Sequence, residues 1–483
     1  MTPHQEHLNH HHLDYHHLGL MMGLEIHQQL EGKKLFCNCP TQIRRDKPHF
    51  EVRRRLRISA GEMGAVDVAA EHEQKKSKYF LYQGYQDTTC LLELDEQPPG
   101  KVNPDSLRVA IQVATLLNCK IVDVIQFMRK TVIDGSNTSG FQRTALIGTN
   151  GHITVNHKKI GIATVCLEED ACQAIERDKE RDVYNLSRLG IPLIEIATTP
   201  EIHMPEECKE AALKIGMILR SVEGLKRGIG SIRQDVNISI AGGARTEVKG
   251  FQDVQSIPTV VKYEIDRQKK MLEQGEVIER TVRKAEEDGT TTFLRPMPGA
   301  ARMYPETDVA FVYPILTDVT HIELLEEKAE KLQKLGLGKD LANAVTKMGK
   351  ADKVVELVQR YKNVKASFIA ETFVSTPTTI KRKEKIDVEP TDAQFEEIIA
   401  ALDQGKIAKD SVYNLLCDLG RKGTMNFDKY MLLSDETINH ELEAILKESQ
   451  GLAFNAILGK AMGKLKGKAD AQKVIELLKQ LTS

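Results

Sequence analysis

The 483-residue sequence lacks several features that would assign it to a protein class at once. No apolar run reaches about 18 residues, so we expect no transmembrane helix, and the first residues lack the apolar stretch of a secretory signal. Eight cysteines in so long a chain are too few for a disulfide framework and fit a reducing, cytoplasmic environment. The net charge of −2 excludes a globally basic protein, so any nucleic-acid contact must come from local patches.

Common catalytic motifs are missing as well. The sequence contains no GxSxG nucleophile motif and no GxxxxGK[ST] phosphate loop, and no cysteine has evident support from a histidine. These absences argue against acyl transfer by a side-chain nucleophile. Phosphoryl transfer stays open, because it depends on positioning and charge more than on a nucleophilic side chain.

The most informative stretches present are two short apolar segments, residues 160–170 and 191–196, which predict β-strands. They contain Glu168, Glu169 and Glu195 among Ile, Leu and Val. A buried carboxylate costs several kcal/mol unless a cation or a donor compensates it. One such Glu would be typical of an edge strand with a solvated carboxylate. Acids in two strands instead favour a site for a hard cation, which prefers oxygen ligands.

Two further segments predict strands with polar faces. Residues 23–30 alternate between apolar and polar side chains, which puts Glu25 and His27 on one face. A lone His on a strand is usually structural, but a Glu two positions away favours a metal or phosphate site. Residues 231–240 and 245–250 predict a hairpin whose polar residues could equally form a solvated sheet face: Arg233, Asp235, Glu247 and Lys249.

Candidate phosphate-binding residues lie in two other segments. Arg129 and Lys130 precede a loop of small polar residues that includes Ser136. Such a loop can offer backbone N–H groups to an anion, although a plain polar turn looks the same. Arg302 lies in a Pro/Gly-rich segment, residues 295–308, where we expect little regular structure. Acids and bases together suit Mg²⁺ and a polyphosphate on an antiparallel sheet, which predicts an ATP site without a phosphate loop.

Other segments allow more than one interpretation. Cys37, Cys39 and Cys90 offer three thiolates, but zinc would need a fourth ligand, so zinc is left out. The seven basic residues in 44–57 are typical of a solvated face, with phosphate contact as the alternative. Residues 451–483 contain six lysines and two acids, which favours RNA backbone binding over a simple basic cap.

The remaining pattern is mainly helical. Residues 104–117 predict a helix that Asp105 could cap, and the chain is predominantly helical from about residue 320. The polar stretch 375–385 lacks an apolar stripe, so we expect a boundary or flexible loop there. The histidine-rich residues 1–17 predict a mobile leader rather than a built metal site.

At these same segments the chain closely resembles the archaeal, E-type branch of the GatB/GatE family of glutamyl-tRNA(Gln) amidotransferases, whose bacterial relatives form the B-type branch. The match covers nearly the whole chain in order, and its main motifs are GLEIHQQL (23–30), MRKTVIDGSNTSGFQRTAL (128–146), CLEEDA (166–171), RLGIPLIEIATTPEI (188–202), IRQDVNISI (232–240) and RPMPGAARMYPETD (295–308). The resemblance implies an α+β fold: a glutamine-synthetase-like cradle with an antiparallel sheet, then helical domains. The implied domains are a leader (1–17), a cradle (18–318), a helical region (319–385) and a YqeY-like tRNA-binding tail (386–483).

The resemblance also implies a reaction and its participants. ATP phosphorylates the γ-carboxyl of Glu on Glu-tRNA(Gln), and ammonia from a partner chain, an asparaginase-like amidase, converts it to Gln-tRNA(Gln), in an expected heterotetramer. His27, Glu169 and Glu195 would hold a structural Mg²⁺, and Glu25, Glu168 and Asp235 a second one, with Glu168 and Glu169 interchangeable. The candidate cofactor-binding residues, for ATP, are Arg129, Lys130, Ser136, Arg233, Glu247, Lys249 and Arg302.

One departure from the family bears on function. Only about twenty residues separate the helix at 258–274 from the segment at 295–308, so the aspartyl-tRNA-synthetase-like insert of the E-type branch is absent. Its loss motivates an alternative, a non-catalytic tRNA-binding module. The intact acidic motifs argue against that alternative, because a pure binder has no reason to bury acids together. A ligase for a free amino acid is a third option, which the basic tail disfavours.

Overall fold

The structure, a computed structural model, describes residues 15–57, 68–228, 230–251, 253–297, 299, 303–316, 323–449, 452–465, 468–469 and 471–482. Arg302 and residues 1–14 of the predicted leader therefore lie outside the described residues. The chain divides into two compact units, Met1–Ile322 and Glu323–Ser483. The first unit combines sheets and helices, and the second is helical, which gives a mixed α/β architecture with a C-terminal helical region.

The first unit contains these strands among its described residues: β1 (Met21–Gln29), β2 (Phe50–Arg54), β3 (Tyr79–Gly84), β4 (Lys120–Ile121), β5 (Phe127–Thr131), β6 (Phe141–Val155), β7 (Lys158–Glu169), β8 (Gln173–Arg177), β9 (Arg181–Asn185), β10 (Pro192–Thr198), β11 (Ile232–Ser239), β12 (Thr246–Phe251), β13 (Thr281–Ala285), β14 (Thr291–Pro296) and β15 (Met303–Pro305). The strands predicted at 23–30, 160–170 and 191–196 are confirmed as β1, β7 and β10. The predicted hairpin is confirmed as β11 and β12.

Eleven strands form one large sheet in the order β14-β13-β12-β11-β1-β10-β7-β6-β5-β15, with β4 paired to β6. The expected antiparallel sheet is wrong in one respect, because β12 and β13 are parallel. Parallel neighbours need a crossover connection, and helix α4 (Ile257–Glu273) provides it between these two strands. The sheet is therefore mixed.

The apolar face of β1 explains why this strand lies near the centre of the large sheet. Met22, Leu24 and Ile26 are at most 1% exposed, and helix α3 (Pro205–Arg220) packs against β1 and β6. Ile194 and Ile196 of β10 are buried in the same way. Burying these side chains on one side leaves the polar residues of both strands on the other, as strand alternation requires.

A smaller sheet has the order β2-β3-β9-β8. Its core contains Phe80 and Tyr82 of β3 and Tyr184 of β9. Strands β3 and β9 are parallel, and β2 forms one edge of this sheet.

Two other helices belong to the first unit, α1 (Val68–Gln74) and α2 (Pro104–Leu116). The prediction that Asp105 caps α2 is wrong. The cap is Asn103, whose side chain accepts hydrogen bonds from the backbone N–H groups of Asp105 and Ser106, at 3.0 and 3.3 Å. Pro104 takes the first helical position, where its missing N–H costs nothing, so the capping position falls on the preceding residue.

The segment 295–308 is more regular than expected. Residues Met303–Pro305 form β15, which pairs antiparallel with β5 and closes one edge of the large sheet. The backbone N–H of Glu306 also donates to the carbonyl of Phe127 at 3.0 Å. Pairing with β5 thus gives this Pro/Gly-rich segment a structure that its composition does not predict.

The second unit contains helices α5 (Leu325–Lys334), α6 (Lys339–Lys347), α7 (Ala351–Arg360), α8 (Ala366–Glu384), α9 (Asp392–Asp403), α10 (Lys409–Lys422), α11 (Asp435–Glu448), α12 (Phe454–Lys464) and α13 (Ala471–Thr482). A boundary or flexible loop was predicted at 375–385. The flexible loop is wrong, because α8 continues through Pro377 to Glu384. Phe373 and Ile380, on either side of the proline, are at most 1% exposed. Their burial outweighs the hydrogen bond that Pro377 cannot donate.

Three apolar clusters hold this helical unit together. The first is formed by α5 to α9, the second mainly by α8 to α10, and the third by α11 to α13. None of the helices described anywhere in the chain is both long enough and apolar enough to cross a bilayer.

Candidate active site

Four neighbouring strands bring acids from distant parts of the sequence onto one face of the large sheet. In the order β11-β1-β10-β7, Glu25 lies opposite Asp235, and His27 lies opposite Glu195. On β7, Cys166 lies opposite Glu195, and Glu168 is two positions further along the strand. Side chains two positions apart share a face, so Glu168 lies on the same face as Glu195. Strand β10 is interior and the Glu195 side chain is 17% exposed, so the solvated edge-strand interpretation is wrong.

His27 belongs to two groups of potential metal ligands. One group is His27, Glu168 and Glu195, and the other is Glu25, His27 and Asp235; within each, the ligand atoms lie within 4.8 Å of one another. His27 Nε2 is 3.5 Å from a Glu195 oxygen and 3.6 Å from a Glu25 oxygen. Carboxylate oxygens are the ligands that Mg²⁺ prefers, so this donor set fits one or two adjacent divalent cations.

Two lysines neutralise the acids at opposite ends of this cluster. Lys130 Nζ lies 2.6 Å from Glu168 and 3.3 Å from Glu195. Lys249 Nζ lies 2.6 Å from Asp235 and also forms an ion pair with Glu247. The ammonium groups bracket the carboxylates and bring positive charge to positions where phosphate oxygens could be neutralised.

The crowding of acids separates their pKa values. Burial, followed by the charge of Glu195, raises the pKa of Glu25 to about 7. Burial and Glu195 likewise raise the pKa of Glu168. Burial opposes ionisation of Glu195 too, but Lys130 and His27 overcome it and hold the Glu195 pKa below its ordinary value. One acid is thus held ionised while its neighbours retain protons more readily, as at sites that bind cations or transfer protons.

Burial alone would lower the pKa of His27, yet its hydrogen bond to Glu195 and the charges of Glu195 and Glu25 raise it. The pKa of Lys249 is raised for the same reason, since Asp235 and Glu247 outweigh its burial. The carboxylates therefore attract positive charge strongly enough to reverse the effect of burial.

Glu169 and Arg129 lie on the opposite face of the large sheet. Glu169 is 3.1 Å from Arg143, which is 2.7 Å from the fully buried Glu306. Arg129 is 2.6 Å from Glu306 and 3.1 Å from Asp308. This network ties the segment after β15 to β5, β6 and β7. It leaves Glu169 outside both groups of potential ligands and Arg129 outside the acidic cluster.

Arg233 lies beside the cluster, because its position on β11 is opposite His27. Its guanidinium is 3.0 Å from Asp170, whose side chain is 2% exposed. Gln29 and Arg188 also contact Asp170. Burial opposes ionisation of Asp170, but Arg233 and Arg188 lower its pKa, so a buried carboxylate fixes a partly exposed arginine.

Ser136 is not brought to the acidic cluster. Its hydroxyl and its N–H donate to Asp134 at 2.6 and 3.0 Å, and its carbonyl accepts from the N–H of Cys172 at 2.8 Å. The hydroxyl of Tyr82 also donates to the carbonyl of Gly135. This loop is therefore anchored to the small sheet. Arg302 lies outside the described residues.

Two buried acids of these networks were not among the sequence candidates. Asp170 continues the acidic run that begins at Glu168, and this position after an apolar strand is a signal that could have identified it. Glu306 lies in a motif already singled out, but nothing in the sequence pairs it with Arg129 and Arg143. Only the pairing of β15 with β5 brings these residues together.

A second potential metal site lies apart from the acidic cluster. Ligand atoms of Cys37, Cys39, Cys90 and Glu93 lie within 4.8 Å of one another. The Cys37 thiol donates to Glu93 at 3.2 Å, and the N–H of Cys90 donates to the same carboxylate at 2.7 Å. Glu93 also forms a buried ion pair with Lys34 at 3.0 Å. The sequence offered only three thiolates for a metal here. The carboxylate of Glu93 is available as the fourth ligand.

The mixed sheet gathers carboxylates, one histidine and two lysines on a single face, a set of groups that suits a divalent cation beside an anionic group. Residues 20–318 match the family model described as the GatB/GatE catalytic domain. The chain belongs to this family.

The curated relatives support the same assignment. The chain is 36% identical to the E subunit of the glutamyl-tRNA(Gln) amidotransferase of Methanocaldococcus jannaschii, over 96% of this chain and 98% of that protein. The E subunits of Archaeoglobus fulgidus and Sulfurisphaera tokodaii are each 34% identical, with the same coverage. The alignment to the M. jannaschii protein extends over 622 positions, more than the 483 residues of this chain. That relative therefore has residues this chain lacks, in agreement with the missing insert.

Proposed function

We propose that this chain is the ATP-dependent subunit of a glutamyl-tRNA(Gln) amidotransferase, a carbon–nitrogen ligase. It phosphorylates the γ-carboxyl of Glu on Glu-tRNA(Gln), and ammonia from a partner amidase then yields Gln-tRNA(Gln). The observation that carries the proposal is the convergence of Glu25, His27, Glu168, Glu195 and Asp235 on one sheet face, between two lysines. This cluster lies within the segment that matches the GatB/GatE catalytic domain.

The donor set fits Mg²⁺, so residues on this face would hold the ion. His27 would complete one of two sets, either with Glu168 and Glu195 or with Glu25 and Asp235, because its one nitrogen can bind a single ion; the remaining carboxylates would hold a second ion. When bound, Mg²⁺ neutralises and orients the phosphate oxygens of ATP. The sequence left Glu168 and Glu169 as equivalent candidates for the metal ligand beside His27 and Glu195. We assign this role to Glu168, because Glu169 forms an ion pair with Arg143.

The first chemical step is phosphoryl transfer. A γ-carboxylate oxygen of the tRNA-bound Glu forms a bond to the γ-phosphorus of ATP, and the bond from that phosphorus to the β–γ bridging oxygen breaks to release ADP. Lys130 and Lys249 lie at the two ends of the acidic cluster and Arg233 beside it, where they neutralise charge on the phosphates. Preorganised cations of this kind stabilise the transition state without a covalent intermediate on the enzyme.

The second step replaces phosphate by ammonia. The ammonia nitrogen attacks the carbonyl carbon of the γ-glutamyl phosphate, loses a proton, and the carbon–oxygen bond to phosphate breaks. Free ammonium does not react, so a group able to accept a proton near neutral pH is required.

The proposal implies partners and a location. The nucleic-acid substrate is Glu-tRNA(Gln), and the ammonia source is an asparaginase-like amidase chain that joins this one in a heterotetramer and acts in the cytoplasm. The relatives are each named as one subunit of an amidotransferase, which supports a multi-subunit enzyme. Buried acids near a histidine weigh against a non-catalytic tRNA-binding module, because such a module would gain nothing from their desolvation cost.

The decisive experiment supplies Glu-tRNA(Gln), ATP, Mg²⁺, asparagine and the asparaginase-like amidase to the purified chain. We expect Gln-tRNA(Gln) to form, and we expect His27→Ala and Glu195→Ala to abolish it while tRNA binding persists. The exposed Glu31→Ala is a matched control that should keep full activity. A folded wild-type chain that forms no Gln-tRNA(Gln) would overturn the proposed function, and active His27 or Glu195 variants would overturn the metal assignment.

A further inference from the structure

Strand β2 and the residues around it carry a concentrated positive charge away from the acidic cluster. Five exposed cations are grouped in this segment, and we refer to them as the arginine edge: Arg45, Lys47, Arg53, Arg55 and Arg57. Among the residues that the structure describes, strand β2 is the outer strand of the small sheet and pairs there only with β3. The arginine edge therefore lies at an edge of the small sheet.

The pattern of burial shows that three of these arginines lie on the same side of the segment. From residue 51 to residue 57, exposed and half-buried positions alternate, so Arg53, Arg55 and Arg57 share the exposed side. Leu56 faces the other way and packs against the aromatic core of the small sheet. Arg53 lies within β2, and Arg55 and Arg57 follow directly after the end of the strand. Several cations on one side of a short segment match a partner that carries several anions close together.

Other cations of the same segment are already neutralised within the fold. Arg44 forms ion pairs with Asp46 and Asp87, and Arg54 forms one with Glu96. No such pair involves any cation of the arginine edge within the part of the chain that the structure describes. Arg53 instead lies over the ring of Tyr79, with its guanidinium carbon 4.0 Å from the ring centroid. This stacking orders the side chain while leaving its charge available.

Two of the six lysines in the C-terminal segment differ in this respect. Lys464 is 3.0 Å from Glu441, and Lys473 is 2.5 Å from Asp435. Those ion pairs reduce the positive charge that composition assigns to residues 451–483. Five clustered cations that have no carboxylate partner among the described residues repel one another. An external polyanion would relieve this repulsion.

We propose that the arginine edge binds the sugar–phosphate backbone of the tRNA substrate. This inference rests on the proposed function, which supplies tRNA as the polyanion, and it adds a contact surface in the sheet-containing unit to the one expected in the tail. Contacts of this kind position the RNA without reading its bases. They also make affinity depend on salt, because each phosphate contact releases counterions.

The test measures binding of unacylated tRNA(Gln) to the full-length chain across a series of NaCl concentrations. The variant is Arg55→Ala with Arg57→Ala. The matched control is Lys262→Ala with Lys284→Ala, which removes the same charge from a partly exposed and an exposed lysine that are ion-paired with Glu206 and Glu286. We expect the variant to bind about tenfold more weakly at about 100 mM salt, with a salt slope smaller by about 1 to 2. The control should bind like the wild type.

The outcomes separate this inference from the proposed function. A wild type that binds tRNA(Gln) no better than an unrelated small protein does would overturn both. If the wild type binds tRNA(Gln) and the variant has the same affinity and salt slope as the control, the proposed role of the arginine edge is overturned and the proposed function is not. If the Arg55/Arg57 variant does not fold, Arg45→Ala with Lys47→Ala tests the same surface, and unchanged binding there would equally overturn it.

Discussion

Glu168 and Glu169 are consecutive in the sequence but act on opposite faces of the large sheet. Glu168 is 2.6 Å from Lys130 on the face that carries His27, whereas Glu169 is 3.1 Å from Arg143 on the other face. Strand alternation requires this separation, and hydrogen bonds from Gln142 to Glu168 and from Arg143 to Glu169 fix it. Two chemically identical neighbours therefore have different roles.

We first predict that the two positions respond differently to neutralisation. Glu168→Gln removes an anionic ligand of the proposed metal and should lower formation of Gln-tRNA(Gln) by about 100-fold or more. Glu169→Gln should retain more activity but lose stability, by about 1 to 3 kcal/mol, because it weakens a buried ion pair. Activity is compared by measuring the rate of Gln-tRNA(Gln) formation at saturating Mg²⁺, and stability by thermal unfolding of both variants. Equal losses of activity would show that the face assignment is incorrect.

The second prediction concerns pH. The pKa of Glu25 is raised from 4.5 to about 7 in the folded chain, so the folded state binds this proton more tightly than the unfolded state. The metal-free protein should lose stability as pH rises between those values, by about 1 to 3 kcal/mol from this group. Glu25→Gln removes the titrating group. In chelator, the variant should therefore gain stability relative to the wild type at about pH 8 and not at about pH 4.5.

Thermal or denaturant unfolding at both pH values measures the difference between the two proteins, so the titration of groups that do not interact with Glu25 cancels. Glu31→Gln is a suitable control, because Glu31 is an exposed residue of the same segment. A difference between Glu25→Gln and wild type that does not change with pH would contradict the assigned environment of Glu25.

The sequence predicted the polar faces of the central strands because a two-residue period is local information. The pattern predicted that Glu25, His27 and Glu195 lie on strands, and their apolar neighbours indicated candidate metal ligands. It could not decide between Glu168 and Glu169, since that choice depends on how β7 aligns with β10 and β6. Strand register is set by packing between distant segments, and a shift of one residue would exchange the two faces.

Features that join distant segments were harder to predict. Glu93 completes the cysteine cluster only because residues 37–39 and 90–93 come together in the fold. Helix α8 continues through a polar stretch because one of its faces is buried, which local composition does not reveal. In both cases tertiary packing overrides a local signal.

The third prediction is that Asp170 positions Arg233. Asp170 is buried and 3.0 Å from the Arg233 guanidinium, so Asp170→Asn removes the charge that fixes this side chain. If Arg233 binds phosphate, both Arg233→Ala and Asp170→Asn should raise KM for ATP about tenfold, with smaller effects on kcat. The double variant should be little worse than either single one, because both changes remove one interaction. Additive effects on KM would contradict a shared role.

The last prediction concerns the cysteine cluster. Cys37, Cys39 and Cys90 with Glu93 offer three sulfur atoms and one oxygen, a set that suits tetrahedral zinc. We expect about one zinc per chain in protein purified without chelator, and removal of the metal should lower the melting temperature.

Metal content measured by mass spectrometry tests this expectation directly. Cys39→Ser should reduce the zinc content, whereas Cys119→Ser should not, because Cys119 is a half-buried cysteine outside the cluster. Glu93→Gln should weaken zinc binding less than loss of a thiolate does, since zinc binds thiolate sulfur more strongly than carboxylate oxygen and Glu93 is already shared with Lys34. Wild-type protein that contains no zinc while all three thiols remain reduced would show that Lys34, and not a metal, neutralises this site.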